Sequence, residues 1–249
     1  MKSTEPTPHF DVITVRPHKD DGRRDGSFGW KGLFFSTDNA PIKFLIANAF
    51  HVKMWLITGL PAWAETSNWN VQAKVVEEDA ALMQNLTRDQ RSAMLRTILE
   101  ERFGMVWHME AKAQPVYELT VLPGGPRFHA TPVPSTAGGG DAARKRQSGW
   151  TINHGLAKAN GITLPQLAEG LSSELERSVV DKTGLNEMYD LELHWTPEDG
   201  PKASDNGVAG DALPDIFTAL KEQLGMKPSP AREAVPVLVI DHMQPPADN

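Results

Sequence analysis

The residues of this 249-residue chain best suited to acid–base or metal chemistry are its eight histidines and its clustered carboxylates. The histidines are His9, His18, His51, His108, His129, His154, His194 and His242. No two stand four apart, and no H-E-x-x-H is present, so a helix-borne zinc site is not encoded locally. A site built from distant histidines remains, for example His108 with His194, against the plainer reading of unrelated surface or packing residues. Asp241-His242 follows a strongly apolar run, where His242 would serve as a general base beside a pocket. As neighbours on a strand, the two side chains point to opposite faces and do not pair with each other. His242 and His194 are therefore the candidate bases. Nucleophilic serine chemistry has no G-x-S-x-G elbow, and Ser172-Ser173 fall inside an amphipathic helix.

Hard oxygen ligands are more plentiful. Asp20 and Asp21, and Asp205 and Asp211, lie in acidic, glycine-bearing loops of the kind calcium accepts, although neither loop has EF-hand spacing. Calcium is the only cofactor the residues suggest; ordinary solvated loops are the competing reading. Asp181-Lys182-Thr183-Gly184-Leu185 reads as a tight turn in which Asp and Thr bond local backbone. Asp181 and Lys182 are the candidates for a function added to that turn. Among seven tryptophans, Trp30, Trp55, Trp63, Trp69 and Trp107 cluster in the first half. They form either core or a ligand-facing aromatic wall.

These groups need a scaffold, and the chain supplies one twice. Ala40-Pro41-Ile42-Lys43-Phe44-Leu45-Ile46 is answered by Ile162-Thr163-Leu164-Pro165-Gln166-Leu167-Ala168, and Thr58-Gly59-Leu60 by Thr183-Gly184-Leu185. Trp69-Asn70-Val71 parallels Tyr189-Asp190-Leu191; Arg102-Phe103-Gly104-Met105 parallels Gln223-Leu224-Gly225-Met226. The closing runs Pro115–Val121 and Pro236–Asp241 complete the series. The shared order predicts an internal duplication. Thr87 with Gln90 and Thr163 with Gln166 fit capping boxes. Met94, Leu95, Ile98, Leu99 and Phe103 form one buried helical stripe, as do Ile216, Phe217, Leu220 and Leu224. Gly104 and Gly225 fit left-handed helix ends. Val237–Ile240 is apolar at every position, which predicts a strand covered on both faces.

The expected architecture is α+β, in duplicated β-α-β-β-α-β-β type units, each a sheet with two helices packed on it. Residues 1–9 form a loose N-terminus, 10–123 the first repeat, 124–149 a Gly/Pro-rich linker, and 150–249 the second repeat with an inserted loop at 197–211. Twenty-five basic against 32 acidic residues give a net charge of −7, which argues against binding nucleic acid or an anionic membrane. No apolar run approaches the roughly 20 residues of a transmembrane segment. The absence of cysteine excludes disulfides, thiolate metal sites and cysteine nucleophiles.

With these landmarks placed, the chain resembles the soil-associated family of unknown function abundant in Acidobacteria. The matching segments include Phe10-Asp11-Val12, Val15-Arg16-Pro17, Asn39 through Phe50, Gly59-Leu60-Pro61-Ala62-Trp63 and Leu99 through Phe103. Further on are Pro115-Val116-Tyr117, Val179 through Leu185, Tyr189-Asp190, Thr218-Ala219-Leu220, Gln223-Leu224-Gly225 and Val239 through His242. The resemblance implies an exported, extracytoplasmic protein and brings no catalytic residues with it. Met1-Lys2-Ser3-Thr4-Glu5-Pro6 lacks the apolar core of a secretion signal. Two functions are expected from the whole. The first is a non-catalytic module binding a small molecule, peptide, glycan or partner. The second is a calcium-dependent hydrolase of small esters or lactones, such as acyl-homoserine lactones, with a metal lowering the pKa of bound water.

Overall fold

The computed structural model describes residues 8–19, 22, 26–131, 149–153, 155–197 and 213–246. By contacts the chain divides into two compact units, Met1–Lys112 with Val235–Asn249, and Ala113–Ala234. The fold is α+β.

In the first unit, β1 (Phe10–Pro17), β2 (Ser27–Lys31) and β3 (Phe34–Pro41) precede α1 (Ile42–Phe50). Then come β4 (Ile57–Thr58), α2 (Ala62–Thr66), β5 (Asn68–Val75), α3 (Ala80–Met83) and α4 (Arg88–Phe103). The strands form an antiparallel sheet in the order β1-β5-β3-β2. Alternation on β5 buries Trp69, Val71, Ala73 and Val75 while Asn68, Asn70, Gln72 and Lys74 take the other face. The expected stripe on α4 is fully realised: Met94, Leu95, Ile98, Leu99 and Phe103 are all buried. Most of it shares one core with Leu45 and Ile46 of α1 and Phe35 and Val71 of the sheet. Thr87 and Gln90 cap α4 reciprocally, and Gly104 ends it at φ +56°.

β6 (Val106–Val121) leads from the first unit into the second, followed by β7 (His129–Ala130), β8 (Gly149–Asn153), β9 (Leu156–Ile162) and α5 (Leu164–Glu174). β10 (Val179–Asp181), β11 (Tyr189–His194), α6 (Ile216–Leu224) and β12 (Met226–His242) complete the chain. The second sheet has the order β7-β11-β9-β8, position for position that of the first. Its core joins Leu167 and Leu171 of α5 to Leu220 and Leu224 of α6 and Leu191 and Leu193 of β11. Gly170, in mid-helix, leaves the space that the Trp150 indole fills. Thr163 and Gln166 form the second capping box, and Asp215 caps α6 through the N–H groups of Phe217 and Thr218.

One local device recurs. The β3–β5 register shifts between Thr37 and Ala40, where Asn39 adopts φ +52°, and Asn70 Oδ1 accepts the Asn39 N–H at 2.9 Å. The β9–β11 register shifts likewise, Gly161 adopts φ +66°, and Asp190 Oδ1 accepts the Gly161 N–H at 2.7 Å. Each bulge is thus clamped by the polar residue after the buried aromatic of the facing strand, Trp69 or Tyr189.

A third sheet has the order β10-β6-β12-β4. Within the second unit β10 pairs in parallel with β6 at Val179↔Tyr117; within the first, β4 pairs in parallel with β12 at Ile57↔Leu238. Each unit therefore takes its parallel partner from the long strand that closes the other half of the sequence. Val237, Leu238 and Ile240 are buried on successive faces of β12, as the apolar run requires. Residues 1–7 lie outside the described structure, whereas Pro8 is buried and the His9 N–H donates to Asp79. Within 124–149, Phe128 is buried and β7 pairs with β11.

Candidate functional site

The closing strands bring together an acid–base pair that the sequence could not show. His108 Nδ1 lies 2.8 Å from Asp241 Oδ2, across 133 residues of chain. A carboxylate only accepts, so Nδ1 carries a proton, and in the neutral imidazole Nε2 presents its lone pair. Glu110 Oε2 stands 3.8 Å from Nε2, and Lys112 Nζ neutralises that carboxylate at 3.0 Å. His108, Glu110 and Lys112 share a strand face because they alternate along β6. The pair is about half exposed, 49% for His108 and 43% for Asp241, so Nε2 can reach water or a ligand. Chemically it is an oriented base.

Asp241 thus has a histidine partner, although not its neighbour: His242 is exposed on the opposite face of the strand. The signal for His108–Asp241 lay in the pairing of two strands whose sequences give no register, and no local motif carries it. His194 belongs to the other unit, where Nε2 contacts Glu192 at 2.9 Å. Glu192 also pairs with Lys158 at 3.1 Å, and Lys158, then His194, hold its carboxyl below the usual range. These groups form a charged row on an exposed sheet face.

Asp181 is taken up by its turn. Its Oδ1 accepts the Thr183 N–H at 2.9 Å and the Thr183 hydroxyl at 2.7 Å, while Gly184 supplies φ +72°. Lys182 pairs with Glu233 at 2.6 Å, and that contact raises the lysine above its ordinary value. Asp20, Asp21, Asp205 and Asp211, the expected calcium ligands, lie outside the described residues. Among the described residues no group of three or more histidine, aspartate or glutamate side chains is placed to hold a metal.

A serine–histidine contact also emerges. His51 Nε2 is 2.9 Å from Ser92 Oγ, with Asp89 Oδ1 at 3.4 Å from the same nitrogen. The Ser92 hydroxyl donates to the Asn48 carbonyl, so it accepts from His51 Nε2–H. This is the reverse of the tautomer that would activate a nucleophile, and Asp89 does not orient Nδ1. Ser92, 4% exposed, ties α4 to the end of α1. Burial, then Arg88, lower the His51 pKa despite the opposing pull of Asp89. Ser172 is equally structural: it donates to Ala168 and accepts the Val179 N–H.

The tryptophans resolve mostly into core. Trp63 stacks on Phe103, Trp69 meets both edge-on, Trp107 meets Phe50, and Trp30 packs on Phe35.

β6 is the least covered element beside this site. Its one edge faces β12; among the described residues its other edge is paired only at Tyr117–Leu119, by β10. Val106, His108, Met109, Glu110 and Ala111 are all exposed, Met109 by 48%. Tyr117 N–H donates to Ser178 and Leu119 C=O accepts from Lys182 on the β10 side. Alternation directs the Trp107, Met109 and Ala111 backbone groups to that same, open edge. On β12, Pro228, Pro230 and Pro236 share one parity, so their three missing donors blunt a single edge. Val106–Gln114 of β6 contains no proline.

The model of one family, described as protein of unknown function (DUF3738), matches residues 43–243. No curated protein and no solved structure matches the chain.

Proposed function

We propose that this chain, which belongs to the DUF3738 family of unknown function, is a non-catalytic module that binds a partner or ligand along the free edge of β6. The observation that carries this reading is the open, proline-free edge at Val106–Lys112, on a strand whose side chains are exposed on both faces. Natural sheets usually blunt or cover such an edge, because its unpaired N–H and C=O groups accept any extended chain. The opposite strand carries that protection in three prolines; on β6 the one proline, Pro115, lies beyond this stretch. The recurrence of one sheet order and one clamped bulge supports descent of both units from a single duplicated ancestor. An exported protein of soil bacteria, as the resemblance implies, would meet extended peptides and glycans outside the cytoplasm.

Amide-resolved NMR titration with extended peptides and oligosaccharides tests this. The expected result is a shift and added exchange protection at Met109 and Ala111. Saturating ligands that leave 106–112 unmoved would overturn it.

A second reading rests on His108–Asp241. An imidazole oriented by a carboxylate suits a general base for water attack on a small ester or lactone, an acyl-homoserine lactone among them, with calcium as the assisting cation. A substrate panel run with calcium, with chelator, and with His108→Gln separates the cases. Calcium-dependent turnover lost in the variant supports the hydrolase; turnover unaffected by both rejects this mechanism.

A further inference from the structure

The open edge of β6 matches one occupant in its own charge pattern, and we infer that the occupant is a second copy of the same edge, paired antiparallel about Ala111. This deepens the binding reading and rests on it. Two identical strands meeting about a two-fold axis place residue i opposite a residue j such that the axis lies midway between them. An axis at Ala111 sets Glu110 opposite Lys112 of the second copy, and Lys112 opposite Glu110, while Met109 faces Ala113. The smallest side chain stands on the axis, and opposite charges meet on both sides of it. An axis one residue earlier would put Glu110 against Glu110; one residue later would oppose two lysines. Of these three registers the charges favour the one centred on Ala111.

The backbone agrees. Ala111 directs its N–H and C=O to the open edge by the alternation that runs from Tyr117 and Leu119, so the two-fold pair is a hydrogen-bonded one. Lys112 and Glu110 already share one face at 3.0 Å, and the second copy completes an alternating group of four charges. The ladder ends by construction. Arg232 Nη2 donates to the Ala113 carbonyl at 3.1 Å, and Pro115 has no N–H to extend it. An edge this short falls below the size of a standard stable interface, so the pairing is weak and concentration-dependent.

Sedimentation velocity of the full chain from micromolar to millimolar concentration tests the pairing, with exchange at Met109 and Ala111 followed by NMR. Monomer giving way to dimer, with those amides gaining protection as dimer forms, is expected. Glu110→Lys and Lys112→Glu each set like charges opposite one another and weaken the dimer about tenfold. The double exchange Glu110→Lys/Lys112→Glu restores it, and far-UV circular dichroism of each variant verifies folding. A chain monomeric throughout, or a dimer indifferent to the single reversals, overturns the self-pairing. In a monomeric chain, an extended peptide that still protects Ala111 leaves the binding reading standing; a peptide that does not removes both.

Discussion

Gly59 and Gly184 look alike in sequence, each inside Thr-Gly-Leu, and the structure predicts that replacing them has unequal consequences. Both adopt a left-handed backbone, φ +80° and φ +72°. Alanine there pays the left-handed penalty of about 1–2 kcal/mol at either site. At Gly184 a methyl group meets open space. At Gly59 it runs into the Ile240 carbonyl, because β4 pairs with β12 one residue earlier at Thr58↔Val239. A backbone oxygen in a ladder cannot rotate aside as a side chain would, so an overpacking cost of about 1–3 kcal/mol is added. The Gly184→Ala variant should therefore lose about 1–2 kcal/mol and Gly59→Ala about 2–5 kcal/mol. In a domain of this size that difference separates the melting temperatures by about 2–12 °C. Urea unfolding read by tryptophan fluorescence, with calorimetry in parallel, measures both. Equal losses at the two sites would refute the packing of Gly59 on β12, and with it the register of the third sheet in the first unit.

Replacing the bulge clamps should be costly in both units: Asp190→Ala and Asn70→Ala each strand a backbone N–H and lose about 1–3 kcal/mol, measurable by denaturant titration. Asp215→Ala removes the cap of α6 and should cost about 0.5–2 kcal/mol, with helix content read by circular dichroism. The bonds from Thr218 that hold the Asp215 carboxyl below its ordinary value give stability present above the normal carboxylate pKa and lost as pH falls through the lowered one. His51 runs on a different window. Its folded pKa lies below 6.5, so the unfolded chain binds the proton first, and stability falls as pH drops from 6.5 toward the lowered value. The melting temperature of His51→Asn should depend less on pH between 7 and 5 than that of the parent chain.

The principal helices were legible in the sequence because their determinants are local, whereas the three strands before α1 and before α5 exceed the single one expected. The stripe from Met94 to Phe103 follows helical spacing, Thr87 and Gln90 cap within one turn, and Gly104 and Gly225 end helices by backbone freedom alone. The turn at Asp181–Leu185 closes on itself, which is why its hydrogen bonds could be anticipated from residue types. The α+β class follows from those elements and from their order. What joins distant strands was not legible, since pairing is decided by register and topology rather than by any short motif. Asp241 found His108 instead of its neighbour because β6 and β12 lie side by side. Ser92 met His51 because α4 packs on α1. The open edge of β6 exists only because β10 pairs with three residues of a far longer strand. Composition and local periodicity fixed which residues are apolar, capped or turning. The tertiary structure alone decided which polar groups meet, because a contact across 133 residues is set by the packing of whole elements.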